Sequence, residues 1–174
     1  MNPFTLISSR EVYKNPWMSL REDIVIKDWK EWLFGVTTYW EGTAILALDD
    51  ENNVYLVEEY KYALGREDIN LPGGSTDPGE SPLITAKREL HEELGIEARD
   101  WISLWHIYPL TTIVSQTEYL FLARGISFVE KPDDSWEETK LLKIPYTQAL
   151  QMVMNSEITH GASVAAILKA QKYI

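Results

Sequence analysis

The chain has 174 residues, 25% of them charged and 45% hydrophobic, with a formal net charge of −11 and no cysteine. That length can bury a core without staples; the acidic balance counts against a nucleic-acid groove or a polybasic membrane contact, and the missing thiols exclude disulfides, zinc–thiolate sites and thiol catalysis. No run approaches the ~20 apolar residues that span a bilayer and the start lacks the apolar stretch of a signal peptide, so a soluble cytoplasmic protein is expected.

The first 40 residues carry Trp17, Trp29, Trp32 and Trp40 and two strand-like pieces, 20–26 and 34–39, separated by polar residues. They are expected to form a separate small sheet. Residues 43–48 and 54–59 read as strands joined by the turn-rich Asp49-Asp50-Glu51-Asn52-Asn53. Leu71-Pro72-Gly73-Gly74 closes the next extended piece, with two glycines where the backbone turns tightly or approaches a ligand. A helix is predicted over 82–94. Ser81 suits its N-cap, Pro82 its first position and Gly95 the residue after its end. Strands are predicted near 101–108, 118–123 and 141–144, then helices over 147–155 and 162–172. Strands, helix, strands, helices in that order indicate an α+β domain.

The informative stretch is Gly74–Ile96, GSTDPGESPLITAKRELHEELGI. At about 100° per residue, Glu89, Glu92 and Glu93 share a third of the helix circumference. Leu83, Ala86, Leu90 and Leu94 form the adjoining apolar face. Carboxylates at i, i+3 and i+4 repel by a few tenths of a kcal/mol per pair on an exposed helix. Hard divalent cations such as Mg²⁺ or Mn²⁺ offset such repulsion, because they take oxygen ligands and keep positions open for phosphate oxygens and water. A run of Glu and Arg on a helix is also what a merely solvated face looks like. The register with the flanking residues decides between the two.

Gly74, five residues, Glu80, seven residues, Arg88-Glu89-Leu90, one residue, Glu92-Glu93, one residue, Gly95-Ile96 resembles the signature of the Nudix hydrolases, and no position departs from it. Nine specified positions recur by chance on the order of once in 10⁷ chains of this length. The resemblance implies an α/β/α sandwich that hydrolyses nucleoside diphosphates linked to another group. It implies Glu89, Glu92, Glu93 and the Gly73 carbonyl as metal ligands, with two or more Mg²⁺ or Mn²⁺ ions, and Arg88 bracing Glu80 to orient the carboxylates. Glu92 and Arg88 count with the catalytic residues on this reading, and Gly74, Glu80 and Gly95 shape the motif.

Outside the motif the chain resembles the ADP-ribose and nucleoside-diphosphate-sugar pyrophosphatases. Val54 to Lys61, then Asn70 to Gly74, look like that branch's strand and approach, although Lys61 stands where Arg is usual and Asn70 where Glu is usual. Lys61 is expected to meet a phosphate as a point charge. Pro109, with Thr111 and Thr112 behind it, falls where the branch has a proline. Residues 145–150 and 156–164 resemble its closing helices. Counting back from them places Glu137 as the loop carboxylate that contacts metal or acts as general base, with Glu138 as fallback. Tyr13, Trp17, Trp29 and Trp40 are candidates to stack a nucleobase, with Tyr13 and Trp17 preferred. The branch also implies a homodimer built through N-terminal strands. The expected organisation is an N-terminal strand region at 1–40, which dimerises, and a Nudix hydrolase domain at 41–174. The expected reaction is hydrolysis of a nucleoside diphosphate sugar, ADP-ribose first and GDP-mannose second. Cleavage of nucleoside triphosphates or dinucleoside polyphosphates is one alternative, and a non-catalytic nucleotide-binding module is another.

Overall fold

The computed structural model describes residues 1–131 and 139–174. In chain order the strands are β1 (Thr5–Lys14), β2 (Met18–Lys27), β3 (Lys30–Tyr39), β4 (Gly42–Leu48), β5 (Asn53–Lys61), β6 (Arg66–Asn70), β7 (Ile96–Ile107), β8 (Val114–Ser115), β9 (Glu118–Phe128) and β10 (Lys140–Pro145). The helices are α1 (Pro82–Leu94), α2 (Tyr146–Met154) and α3 (Gly161–Ala170). None is long and apolar enough to cross a membrane. Two compact units result, Met1–Glu41 with Tyr108–Thr117, and Gly42–Ile107 with Glu118–Ile174.

In the first unit, β1, β2 and β3 form an antiparallel meander and β8 adds to β3 in parallel. Lys27 pairs with Lys30, so β2 and β3 are joined by a two-residue turn. Its residues Asp28 and Trp29 are both left-handed, at φ 49° and 63°, as a turn matched to strand twist requires. The segment 108–117, read from sequence as part of the hydrolase domain, belongs to this unit.

The second unit is a mixed sheet in the order β10-β5-β4-β9-β7, with β6 beside β5. Central β4 is buried along its whole length, which its run of small and aliphatic residues allows. On one face Leu46, Leu56, Leu120 and Leu122 pack with Ala149 of α2 and Ile167 of α3. On the other, Ile45, Val57, Phe121 and Ala123 pack with Ala86, Leu90 and Leu94 of α1. The layers are helix, sheet, helix, as the resemblance implies. At the β4–β5 turn the Asp49 carboxylate accepts from the Asn53 amide (2.8 Å), the Tyr55 hydroxyl (3.0 Å) and the Lys143 ammonium (2.8 Å). Burial opposes its charge, but those hydrogen bonds more than offset burial and hold the carboxyl well below the usual range.

Candidate active site

The helix α1 begins and ends where its sequence dictates. The Ser81 hydroxyl accepts from the Ile84 amide, Pro82 opens the helix, and Gly95 closes it at φ 61° with its amide bonded to the His91 carbonyl. Burying Ala86, Leu90 and Leu94 against the sheet fixes the rotation of the helix. Glu89 and Glu93 are thereby turned to the flank beside the segment Leu71–Gly74, and Glu92 is held with Glu89 on Arg88.

That segment is held from several sides. The amides of Ile45 and Thr43 donate to the carbonyls of Pro72 and Gly74, each at 2.9 Å. The Leu71 amide donates to the buried Ser163 hydroxyl of α3 (2.9 Å), and the Gly73 amide to the Glu93 carboxylate (3.0 Å). Pro72 and Gly74 thus face β4, and Gly73 between them presents its other edge to α1. A Cβ on Gly73 would overlap the Thr43 carbonyl, and one on Gly74 would overlap the Glu89 carboxylate. The glycines are therefore required by close approach.

Arg88 is the hub of the charged groups. Its guanidinium reaches Glu80 at 3.2 Å, the Ser75 carbonyl at 3.2 Å, Glu89 at 2.8 Å and Glu92 at 2.9 Å. Partial burial works against its charge, but Glu80, Glu89 and Glu92 outweigh it and raise its pKa. Glu80 is held below the usual carboxylate range by Arg88 first, then by the Thr85 hydroxyl. The expected Arg88–Glu80 brace is thus joined by two further ion pairs.

Among the described residues, no three His, Asp or Glu side chains converge with metal-binding geometry. Glu89 and Glu92 lie on Arg88 and Glu93 on the Gly73 amide. The donor set nonetheless suits a hard cation, because it offers carboxylate oxygens on a rigid helix beside a backbone edge with no side chain in the way. Arg88 already places positive charge among them.

The other sequence candidates are spread more widely. Lys61 ends β5 in an ion pair with Glu59. Tyr13 and Trp17 lie in the first unit, 51% and 66% exposed. Glu137 and Glu138 fall outside the described residues. Pro109 belongs to the first unit, where Thr111 and Thr112 line a cavity of about 450 Å³ together with Val36 and Gln116. Sequence reasoning missed Glu118, at the start of β9. Its carboxylate occupies the place a Gly42 side chain would take (2.7 Å), and burial pushes it up to about 7. It also missed the Ser163 grip on Leu71. Neither carries a local signal, since each depends on a partner far away in the chain.

Comparison with known proteins agrees with this geometry. Residues 38–157 match the NUDIX domain and residues 4–27 the nucleoside diphosphate sugar hydrolase N-terminal domain. The chain is 30% identical over 176 residues to the ADP-ribose pyrophosphatase of Mycobacterium tuberculosis (strain ATCC 25618 / H37Rv), covering 95% of this chain and 82% of that one. It is 26% identical over 148 residues to the ADP-ribose pyrophosphatase of Bacillus subtilis (strain 168), covering 84% and 80%. A solved ADP compounds hydrolase shares the fold at a TM-score of 0.86 and 16% identity, covering 99% of this chain and 95% of that one. A complete signature whose carboxylates flank a glycine segment, on a fold and a sequence shared with these hydrolases, places the chain in the Nudix family.

Proposed function

We propose that the protein hydrolyses the diphosphate bond of a nucleoside diphosphate sugar, with ADP-ribose the first candidate and GDP-mannose the second. The observation that carries this reading is the placement of Glu89 and Glu93 against the Gly73–Gly74 segment, with Glu92 held beside Glu89 on Arg88. The matched N-terminal domain and the named relatives point to the same substrate class. Water adds to one phosphorus and the bridging oxygen leaves with the other, so ADP-ribose gives AMP and ribose 5-phosphate.

Glu89, Glu92, Glu93 and the Gly73 carbonyl would hold two or more Mg²⁺ or Mn²⁺ ions. Such ions, when bound, neutralise the diphosphate charge and acidify the attacking water. Arg88 orients the carboxylates through Glu80, Glu89 and Glu92. Lys61 meets a phosphate, and Glu137 takes the proton of the water. The N-terminal sheet exposes Leu6 (59%), Trp32 (51%) and Leu33 (65%), and we assign that surface to a homodimer in which Tyr13 and Trp17 contact substrate.

A panel of nucleotide substrates with Mg²⁺, read by released phosphate esters, tests the reading. ADP-ribose or GDP-mannose should exceed every nucleoside triphosphate by at least about tenfold in kcat/KM, a gap of ~1.4 kcal/mol. EDTA should abolish turnover. A leading triphosphate or dinucleoside polyphosphate overturns the substrate class, and no turnover of any substrate overturns the enzyme.

A further inference from the structure

Edge strand β7 contains a bulge. Ser103 pairs with Phe121 and His106 with Tyr119, so Leu104 and Trp105 together oppose Leu120. The Trp105 amide is bonded to the Ser103 hydroxyl at 3.1 Å. Its φ is 79°, the left-handed region that a bulge residue of this kind reaches easily only as glycine. A bulky residue held there is strained, and such strain clusters where function maintains it. A bulge alone would serve to blunt a sheet edge, and glycine would make it at lower cost. The Trp105 side chain is not repaid by burial either, for the residue is 68% exposed. Trp29 is also left-handed and exposed, but it sits at a hairpin tip. Trp105 lies flat against the His106 ring, with centroids 5.8 Å apart and planes 18° apart. The His106 ring in turn meets the Tyr119 ring at 6.0 Å.

The register places this aromatic row relative to the signature. Gly74 is bonded to Thr43, Thr43 pairs with Tyr119, and Tyr119 pairs with His106. Thr43 and Tyr119 alternate with Ala44 and Leu120, so they face the α1 side of the sheet, the side on which the carboxylates lie. Three strand spacings separate Gly74 from His106, roughly 14 Å. That is the scale of the reach from a diphosphate through a ribose to a base.

We infer that the exposed face of Trp105, backed by His106, is a stacking platform for the nucleobase of the substrate. The inference rests on the nucleoside diphosphate sugar reading given above. A base has two faces, and Trp105 takes one of them. Stacking on an indole tolerates any base, which suits an anchor whose chemistry occurs at the diphosphate.

The test compares wild type, Trp105→Gly and Trp105→Phe by thermal unfolding, size-exclusion mass and calorimetric titration with AMP and with ribose 5-phosphate, each in Mg²⁺. Glycine relieves the backbone strain, so Trp105→Gly should melt within about 2 °C of wild type or above it. Its AMP Kd should rise about tenfold while its ribose 5-phosphate Kd stays unchanged. Trp105→Phe should keep AMP affinity within about threefold. Absent AMP binding by wild type, or unchanged AMP affinity in Trp105→Gly, overturns the inference. So does a loss confined to ribose 5-phosphate, which would make the platform a sugar site. Dissociation of a dimer together with a fall in Tm would make it a subunit contact instead, and also overturns it. If AMP binds through Trp105 but wild type cleaves no nucleoside diphosphate sugar, the functional reading fails and the platform stands. If wild type cleaves ADP-ribose and Trp105→Gly binds AMP normally, the platform alone fails.

Discussion

The N-terminal sheet and the signature helix dispose of their side chains in opposite ways. Along β1 every residue is exposed, and the first unit leaves Leu6, Ile7, Trp17, Trp32 and Leu33 in solvent. Along α1 the apolar residues Ala86, Leu90 and Leu94 are buried, and Arg88 alone ties together three carboxylates and a backbone carbonyl. A monomer does not benefit from a strand that covers nothing, whereas an enzyme benefits from a charged cluster whose geometry is already set. The contrast says where each kind of sensitivity is expected: chemistry in α1 and, on the proposed homodimer, association in the N-terminal sheet.

Six substitutions sharpen or break that contrast. The largest effect is expected at the carboxylates. Glu93→Gln should keep the fold, since the amide oxygen still accepts from Gly73, yet lower kcat at least about a hundredfold. Glu137→Gln should lose as much as a missing general base, with KM little changed and Glu138→Gln mild. Steady-state kinetics beside circular dichroism will show this, and a near-normal kcat in Glu93→Gln removes Glu93 from the ligands. Gly74→Ala comes next. Its methyl must displace the Glu89 carboxylate, costing about 1–3 kcal/mol in stability and roughly ten- to a hundredfold in kcat. An alanine variant of wild-type activity would show that Glu89 relaxes freely.

Leu33→Glu tests the other region. It should halve the mass measured by light scattering while the hydrolase unit keeps its melting transition. An unchanged mass would mean that the exposed face is not the dimer contact.

The smallest effect concerns Glu118. Its folded pKa of about 7 lies above the unfolded value of 4.5, so between those two values the folded chain holds the extra proton. Stability therefore falls as pH rises from about 4.5 to about 7 and then levels off, a loss on the order of 3 kcal/mol. Glu118→Gln should melt above wild type at pH 8 and match it at pH 4. An equal Tm at both pH values would show that Glu118 is ionised in the fold.

Much of this molecule was legible from local chemistry. Ser81, Pro82 and Gly95 bounded α1, and the apolar spacing gave Ala86, Leu90 and Leu94 of its buried face, whereas Leu83, read as part of that face, is exposed. What was not legible depends on distant partners. Strand β1 was overlooked because a strand exposed on both faces carries no alternation of burial. Residues 101–108 read as an uninterrupted strand, since nothing in Leu104-Trp105-His106 announces a bulge or a left-handed tryptophan. The short β8 was not read as a strand, because it exists only by pairing with β3, a choice made by tertiary contact.

The hold of Ser163 on Leu71 has a consequence for the life of the chain. The glycine segment is anchored by β4, by α1 and by α3, and α3 is made only after the whole signature. A nascent chain still lacking α3 can carry the whole signature and yet lack one clasp of its catalytic segment. Hydrolytic competence is thereby tied to synthesis through α3. Recovery of activity during refolding should likewise lag behind recovery of helix and sheet, because it reports the docking of the C-terminal layer.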